Sequence, residues 1–445
     1  MRVGVIGSGI AGMGASLALA EAGRDVRLFE AEDRLGGHAN TVDARFADGV
    51  QPVDTGFIVF NERNYPNLVS MFAHLDVPVM WSDMSFGFSL GGGGFEYACD
   101  GLDTIFAQRW RALDPRYLRV FWEILRFTRV GPKDLAAGEL AGLSLGAWLD
   151  RRGFSQWFRE RFILPMGGAI WSTPMLGMLD FPAEALMRFF VNHDLMTGLA
   201  PAMRWQTVQG GSREYVTRLA ARLGERAVTG RRAVSVARGV DGVTVRFADG
   251  GAERFDEVVL ATHAPQALGL LGDADGEERA LLSAFRTSRN RAVLHSDPAL
   301  MPRRRRVWSS WNFLTDGADG ERPAQVSYWM NRLQGIPEER FLAVTLNPVL
   351  EPDPALAHGE FSYAHPLYDG RAFAAQREMD SVQGRGGIWY AGAWLGYGFH
   401  EDGLRAGLRV AEALGARPGW VRDTGLTLGS DVTLAGRAPA RIAAE

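Results

Sequence analysis

The residues best equipped for acid–base chemistry lie near the end of the chain, in YAGAWLGYGFHEDGLRAG (residues 390 to 407). These eighteen residues hold five glycines, four aromatic side chains and the run His400-Glu401-Asp402. An imidazole or a buried carboxylate can be tuned to titrate near neutrality, so His400 or Glu401 is suited to take a proton from a carbon atom during oxidation. Tyr397 adds a phenol beside them. The same residues also suit hydrogen bonds that merely hold a loop, and Asp402 suits the N-cap of the helix that follows.

The element that would give such a cluster work to do stands at the other end of the chain. Residues 2 to 6 read as a short buried strand, Gly7-Ser8-Gly9-Ile10-Ala11-Gly12 as a glycine turn, and the alanine-rich run to about Ala22 as a helix. In a strand-turn-helix of this kind the first glycine permits the tight turn and the second lets backbone approach a pyrophosphate. The third lets helix and strand pack closely, while the helix start at Ile10 and Ala11 offers free amides to the phosphates. A second strand, Asp25 to Phe29, ends at Glu30-Ala31, where an acid holds ribose hydroxyls. The pattern predicts a dinucleotide-binding α/β domain.

The residues that follow indicate which dinucleotide. Arg34-Leu35-Gly36-Gly37-His38-Ala39-Asn40-Thr41 resembles the segment of FAD-binding proteins of the amine oxidase and phytoene desaturase superfamily, R-x-G-G-R-x-x-T, that wraps the FAD pyrophosphate. Arg34, Gly36, Gly37 and Thr41 match, and His38 stands where arginine is common. The resemblance extends to VDTGFIVFNERNYPNL (53 to 68), which implies that Thr55, Gly56 and Phe57 pass beside the flavin ring. It implies an adenine contact at Val234 and a return to the cofactor at Ala261-Thr262. The family's closing acid is replaced by Gly392-Ala393, and the helix after it would turn the amides of Gly403 and Leu404 toward the flavin pyrimidine. What this predicts is a Rossmann-like, GR2-type FAD-binding domain, discontinuous over 1–75, 205–265 and 385–415. A mixed α+β substrate domain would take 76–204 and 266–384, with a C-terminal extension at 416–445. Several blocks resemble a bacterial subgroup of NAD/FAD-binding proteins, some of whose relatives act on unsaturated or methyl-branched fatty acyl chains.

Many amine oxidases of this superfamily carry a lysine over the flavin. Here Lys133 is the only lysine, in a Gly/Pro-broken stretch that reads as a surface loop. The resemblance therefore implies an oxidoreductase with noncovalent FAD that desaturates a fatty acyl chain by hydride transfer to flavin N5. A fatty acid double-bond isomerase, an amine oxidase and a nonenzymatic FAD scaffold stand as alternatives. RYLRVFWEILRFTRV (116 to 130) places Arg116, Arg119, Glu123, Arg126 and Arg129 on one helical arc and aromatic or aliphatic residues over the rest. It reads either as a core helix with a wet stripe or as an interfacial helix that touches lipid.

The bulk properties exclude other classes. A chain of 445 residues with 47% hydrophobic and 22% charged residues is long enough for two domains and has the composition of a soluble protein. A net charge of −4 gives no concentrated basic surface for nucleic acid. Cys99 is the only cysteine and the eight histidines lack ligand spacing, so neither a disulfide nor a metal site is expected. The opening MRVGVIGSG enters the first strand at once, which predicts a cytoplasmic protein, peripheral at the inner membrane face if the interfacial reading of 116–130 holds.

Overall fold

A computed structural model describes residues 1–195, 203–315 and 325–422. Residues 423–445, most of the expected C-terminal extension, lie outside the described residues. The nucleotide end is a five-stranded parallel sheet. In spatial order it runs Ala227–Val228, Asp25–Phe29, Arg2–Ile6, Glu257–Leu260 and Ile388–Tyr390. The two strands Arg2–Ile6 and Glu257–Leu260, buried beyond their first residues, read as near-continuous apolar runs. Helix α1 (Ile10–Glu21) crosses from the first strand to the second. Its close approach to the sheet depends on Gly12, where a Cβ would lie 1.9 Å from the carbonyl oxygen of Gly7.

Helix α2 (Pro66–His74) follows the strand Gly49–Asp54. Helix α3 (Pro115–Ala136) is longer than the sequence suggests. It carries Pro132 within it and Lys133 in its last turn, so Lys133 is helical rather than in a loop. Helix α4 (Ala183–Asn192) packs against α3, and the final helix α5 (His400–Ala413) packs along α1. That last contact depends on Gly407, where a Cβ would lie 2.1 Å from the carbonyl oxygen of Ala11.

A seven-stranded sheet forms the second layer, in the order Ala357–Leu367, Arg286–His295, Ala343–Leu346, Gln325–Trp329, Trp311–Thr315, Phe86–Leu90 and Phe95–Ala98. Gly91 to Gly94 form the tip of its last hairpin. The arginine run 303–306 is more than a solvated turn. The carboxylate of Glu96, fully buried, accepts hydrogen bonds from the Arg303 and Arg304 amides and the Arg304 guanidinium. Among the described residues no helix is long and apolar enough to cross a membrane.

The arc expected on 116–130 is rearranged. Glu123 is buried and accepts from Ser155, while Leu118, Trp122 and Leu125 face solvent. The side-chain stripe is therefore set by what the helix packs on, not by segregation of its charges.

Candidate functional site

A cavity of about 690 Å³ lies between the two sheets. Its nucleotide end is built from backbone. Gly7 takes φ +101°, and a Cβ there would lie 2.7 Å from the Ala261 carbonyl oxygen. A Cβ on Gly9 would meet nothing within 4 Å, since Gly9 faces the open cavity. Gly9 is also the N-cap of α1 and has no side-chain acceptor to spend on the first-turn amides. Ile10 and Ala11, the first residues of that turn, line the same space. Glu30 lies opposite, its Oε2 accepting from the Ser8 amide at 2.9 Å and the Ser8 hydroxyl at 2.6 Å. Ala31, Gly37, His38, Thr55, Gly56, Phe57, Ala261, Thr262, Gly392 and Ala393 complete this part of the wall.

Other sequence-selected residues support the wall from behind. Arg34 donates to the carbonyls of Gly37 at 3.0 Å and Ala39 at 3.4 Å, holding the loop closed. Gly36, at φ +109°, donates its amide to the Ser8 carbonyl. The Thr41 hydroxyl donates to Asp54, whose carboxylate also accepts from Ser212 and Gln334. Burial pushes the pKa of Asp54 up to about 6. A Cβ on Gly56 would lie 2.0 Å from the His38 carbonyl oxygen, so that crossing of two chain segments admits only glycine.

Three expected contacts move. Val234 turns its side chain to solvent, 48% exposed, and the cavity is reached instead by Arg231, Arg232 and Ala233; the bulge between Ala233 and Ser235 shifts the register there. The Gly403 amide is spent on the Phe399 carbonyl at 3.1 Å because α5 begins at His400. The amides without an intrahelical acceptor are therefore those of His400, Glu401 and Asp402, one turn earlier than Gly403 and Leu404. Gly403 instead lets α5 approach Ile10, where a Cβ would sit 2.9 Å from Cγ2, and buried Leu404 packs over Gly14. Asp402 is not the N-cap. It sits in the first turn and accepts from the Tyr397 and Phe399 amides, both at 3.0 Å.

The three catalytic candidates separate. His400 lines the cavity, its ring stacked on Phe57 with centroids 3.7 Å apart and its Nε2 3.1 Å from the Tyr215 hydroxyl. Removal from water lowers its pKa to about 3, so the ring is neutral at physiological pH. Glu401 turns away. Its carboxylate accepts from the Asn67 amide at 3.1 Å, the Asn67 side chain at 2.7 Å and the Leu68 amide at 2.9 Å. It thus caps α2, whose own N-cap, Tyr65, has no side-chain hydrogen bond to offer. Tyr397 is buried behind the wall among Phe189 and Phe373 and does not line the cavity.

Three lining histidines carried no signal in the sequence. His263 and His365 stand with His38 in one part of the wall, ring centroids 5.8 and 5.6 Å from His38. Burial lowers all three, and for His38 the neighbouring histidines add to it. His193, at the end of α4, is the third. Its Nδ1 lies 2.9 Å from the Phe189 carbonyl, which can only accept, so Nδ1 carries the proton and Nε2 keeps its lone pair. Its ring stacks on Phe189 and faces Trp205, and burial lowers its pKa to about 4.

Beyond the nucleotide end the wall changes character. Met84, Phe86, Met166, Ile170, Phe189 and Trp205 line it, with Met84 and Leu195 partly exposed at its edge. Among the described residues the charged ones on the wall are Glu30, Arg231 and Arg232, and the Arg231 amide donates to the Glu30 carbonyl, which places them together at the nucleotide end.

The donor set fits a flavin dinucleotide. One uncapped helix start at Gly9 suits a pyrophosphate, a second at Phe399-His400 suits an electron-rich ring edge, and a glycine-lined slot joins them. Similar solved structures agree in fold. A CLA-producing fatty acid isomerase from P. acnes shares 18% identity over 91% of this chain and 96% of its own, with a TM-score of 0.64. Cyclohexylamine oxidase from Brevibacterium oxydans IH-35A shares 18% over 93% and 98%, TM-score 0.65. Putrescine oxidase bound to putrescine shares 16% over 94% and 99%, TM-score 0.65. No curated protein matches the chain. The model of the family described as flavin containing amine oxidoreductase matches residues 10–293, well over half of the chain. The chain belongs to that family, and it is an FAD-dependent oxidoreductase.

Proposed function

We propose that the protein oxidises an uncharged, apolar substrate, a fatty acyl chain that already carries a double bond, to a more unsaturated product. The observation that carries this reading is the uncharged outer part of the cavity. An ammonium substrate would find no carboxylate among the described residues of that wall, and burying it unpaired is costly. An acyl chain instead gains from contact with Met84, Phe86, Met166, Ile170 and Phe189, at about 0.8 kcal/mol for each methylene removed from water. The fold is shared with amine oxidases and with a fatty acid isomerase, so it is compatible with either substrate class.

When bound, FAD supplies the acceptor for the hydride that leaves one carbon. The proton on the adjacent carbon needs a base inside the same apolar space. His193 Nε2 is the nitrogen best prepared for it, with its tautomer fixed by the Phe189 carbonyl and its lone pair uncommitted among the described residues. A histidine held neutral by burial has that lone pair available across the physiological range. His400, held by Phe57 and Tyr215, shapes the wall between this compartment and the nucleotide end.

Anaerobic incubation of the yellow protein with unsaturated fatty acids or phospholipids tests the reading. The expected result is bleaching of the flavin and a product two hydrogens lighter than the substrate. A product of unchanged mass would make the protein an isomerase. Bleaching by small amines and by no lipid would overturn the proposal.

A further inference from the structure

The solvent face of α3 is the least ordinary surface of the molecule. Its exposed residues are Pro115, Arg116, Leu118, Arg119, Trp122, Leu125, Arg129, Lys133 and Ala136. Leu118, Trp122 and Leu125 follow one another at i, i+4 and i+7, so they form a single apolar stripe. Trp122 is 61% exposed and Leu125 50%. The short turn before the helix extends the stripe with Trp110, 60% exposed, and Leu113, 87% exposed. Four basic side chains frame it: Arg116, Arg119, Arg129 and the chain's single lysine. Both acids of the helix, Glu123 and Asp134, are turned inward and buried. Arg129 and Lys133 form no ion pair among the described residues, and Arg116 and Arg119 reach their acids only at 3.6 and 3.7 Å.

On a protein whose net charge is −4, this face is locally cationic and apolar together. A stable fold has no need to leave two tryptophans and three leucines in water on one ridge. We infer that this ridge docks on an anionic lipid bilayer, with Trp110, Leu113, Trp122 and Leu125 entering the headgroup region and the four cations meeting lipid phosphates. Charge complementarity favours that occupant. Tryptophan is suited to the boundary between headgroup and acyl chain, and basic residues on the same helix are attracted by the negative surface potential. A second copy of this chain is a poor partner, because a two-fold contact through the ridge would set the same cations against themselves. The inference does not depend on the reaction proposed above, since it rests on a surface and not on the cavity.

Flotation of the FAD-loaded protein with phosphatidylcholine vesicles, and with vesicles that also contain phosphatidylglycerol, tests it. Binding is expected to the second kind alone and to weaken as salt is raised. Changing Arg116, Arg119 and Arg129 to glutamine should weaken it by about fivefold for each residue. Trp122→Ser with Leu125→Ser should weaken it tenfold or more. All of these side chains are exposed, and an unchanged flavin spectrum shows that the variants fold. No binding, equal binding to both vesicles, or binding that neither variant weakens overturns the inference. So does self-association that the variants abolish, which would make the ridge a contact between copies.

Discussion

Glu401 provides the sharpest test of how the site is built, because its residue type suggests a catalytic base and its position a helix cap. Its carboxylate receives the Asn67 and Leu68 amides, the second and third residues of α2, and the Asn67 side chain. Removing an N-cap acceptor costs about 1 kcal/mol, and each buried donor left without a partner costs roughly 1–3 kcal/mol. Glu401→Ala should therefore destabilise the protein by about 2–5 kcal/mol. Glu401→Gln keeps one acceptor oxygen and gives a cleaner signature in pH. Burial raises the folded pKa of Glu401 to about 7 from an ordinary 4.5. The folded state thus holds the proton more tightly than the unfolded chain does. Wild-type stability from this group is fully present below about pH 4.5 and is lost as pH rises to about 7, by about 3 kcal/mol. The glutamine variant has no such loss, so it should be the less stable protein at pH 5 and should gain on wild type by about that amount by pH 8. For a chain of 445 residues unfolding as a unit this is a swing of about 3 °C in the Tm difference, since ΔS per residue sets roughly 1 °C per kcal/mol. Circular dichroism melts of both holoproteins at the two pH values read it directly, and titrations shared by the two proteins cancel. A pH-independent Tm difference, or a hundredfold fall in flavin reduction rate with melting unaffected, would refute the capping role and return Glu401 to the chemistry.

The other expectations are briefer. His193→Ala should slow reduction of bound FAD by the active lipid by about 10²–10⁴-fold while leaving FAD content unchanged; stopped-flow flavin bleaching measures it, and a rate within twofold of wild type would remove His193 as the base. Ser8→Ala strips one of three donors from Glu30, leaving a half-buried carboxylate held by the Ser8 and Glu32 amides, and should weaken FAD binding a few-fold in an apoprotein titration without changing the melt by more than about 1 kcal/mol. Gly407→Ala drives a methyl to 2.1 Å from the Ala11 carbonyl, so α5 must shift away from α1; soluble yield and FAD retention should both fall sharply, and a normal yellow protein would show that this helix contact is softer than its spacing implies.

The nucleotide end was legible because its physics is local. A glycine turn, the strand before it and the helix after it lie within residues 2 to 21, and the acid that faces Ser8 ends the very next strand. Each constraint there is felt by residues adjacent in the chain, so residue type alone carries it. The start of α5 was harder. A glycine-rich run such as 392–403 shows that backbone passes something closely, but not on which residue the first helical hydrogen bond closes, and one turn separates Gly403 from the amides actually left over. The histidine wall was invisible for a stronger reason. His38, His263 and His365 come from three segments more than a hundred residues apart, brought together where the loop after Gly37, the end of the strand at Leu260 and the strand Ala357–Leu367 converge.

The contrast between His193 and Glu401 shows what decides a role in a protein of this kind. In sequence Glu401 had every advantage, beside a histidine at the mouth of a glycine cradle, while His193 sat in a run of phenylalanines that reads as core filling. Folding reverses their claims through one property, the direction in which unshared electron pairs point. Three donors from α2 hold the Glu401 carboxyl against the start of that helix, turned away from the cavity, so whichever proton it holds serves the cap and not the substrate. A single carbonyl spends the proton of His193 and leaves its other nitrogen on an apolar wall with no competing donor among the described residues. A titratable group is free to act on substrate when its fixed partner satisfies the half of it that chemistry does not use, and that division is made by tertiary contacts rather than by neighbours in sequence.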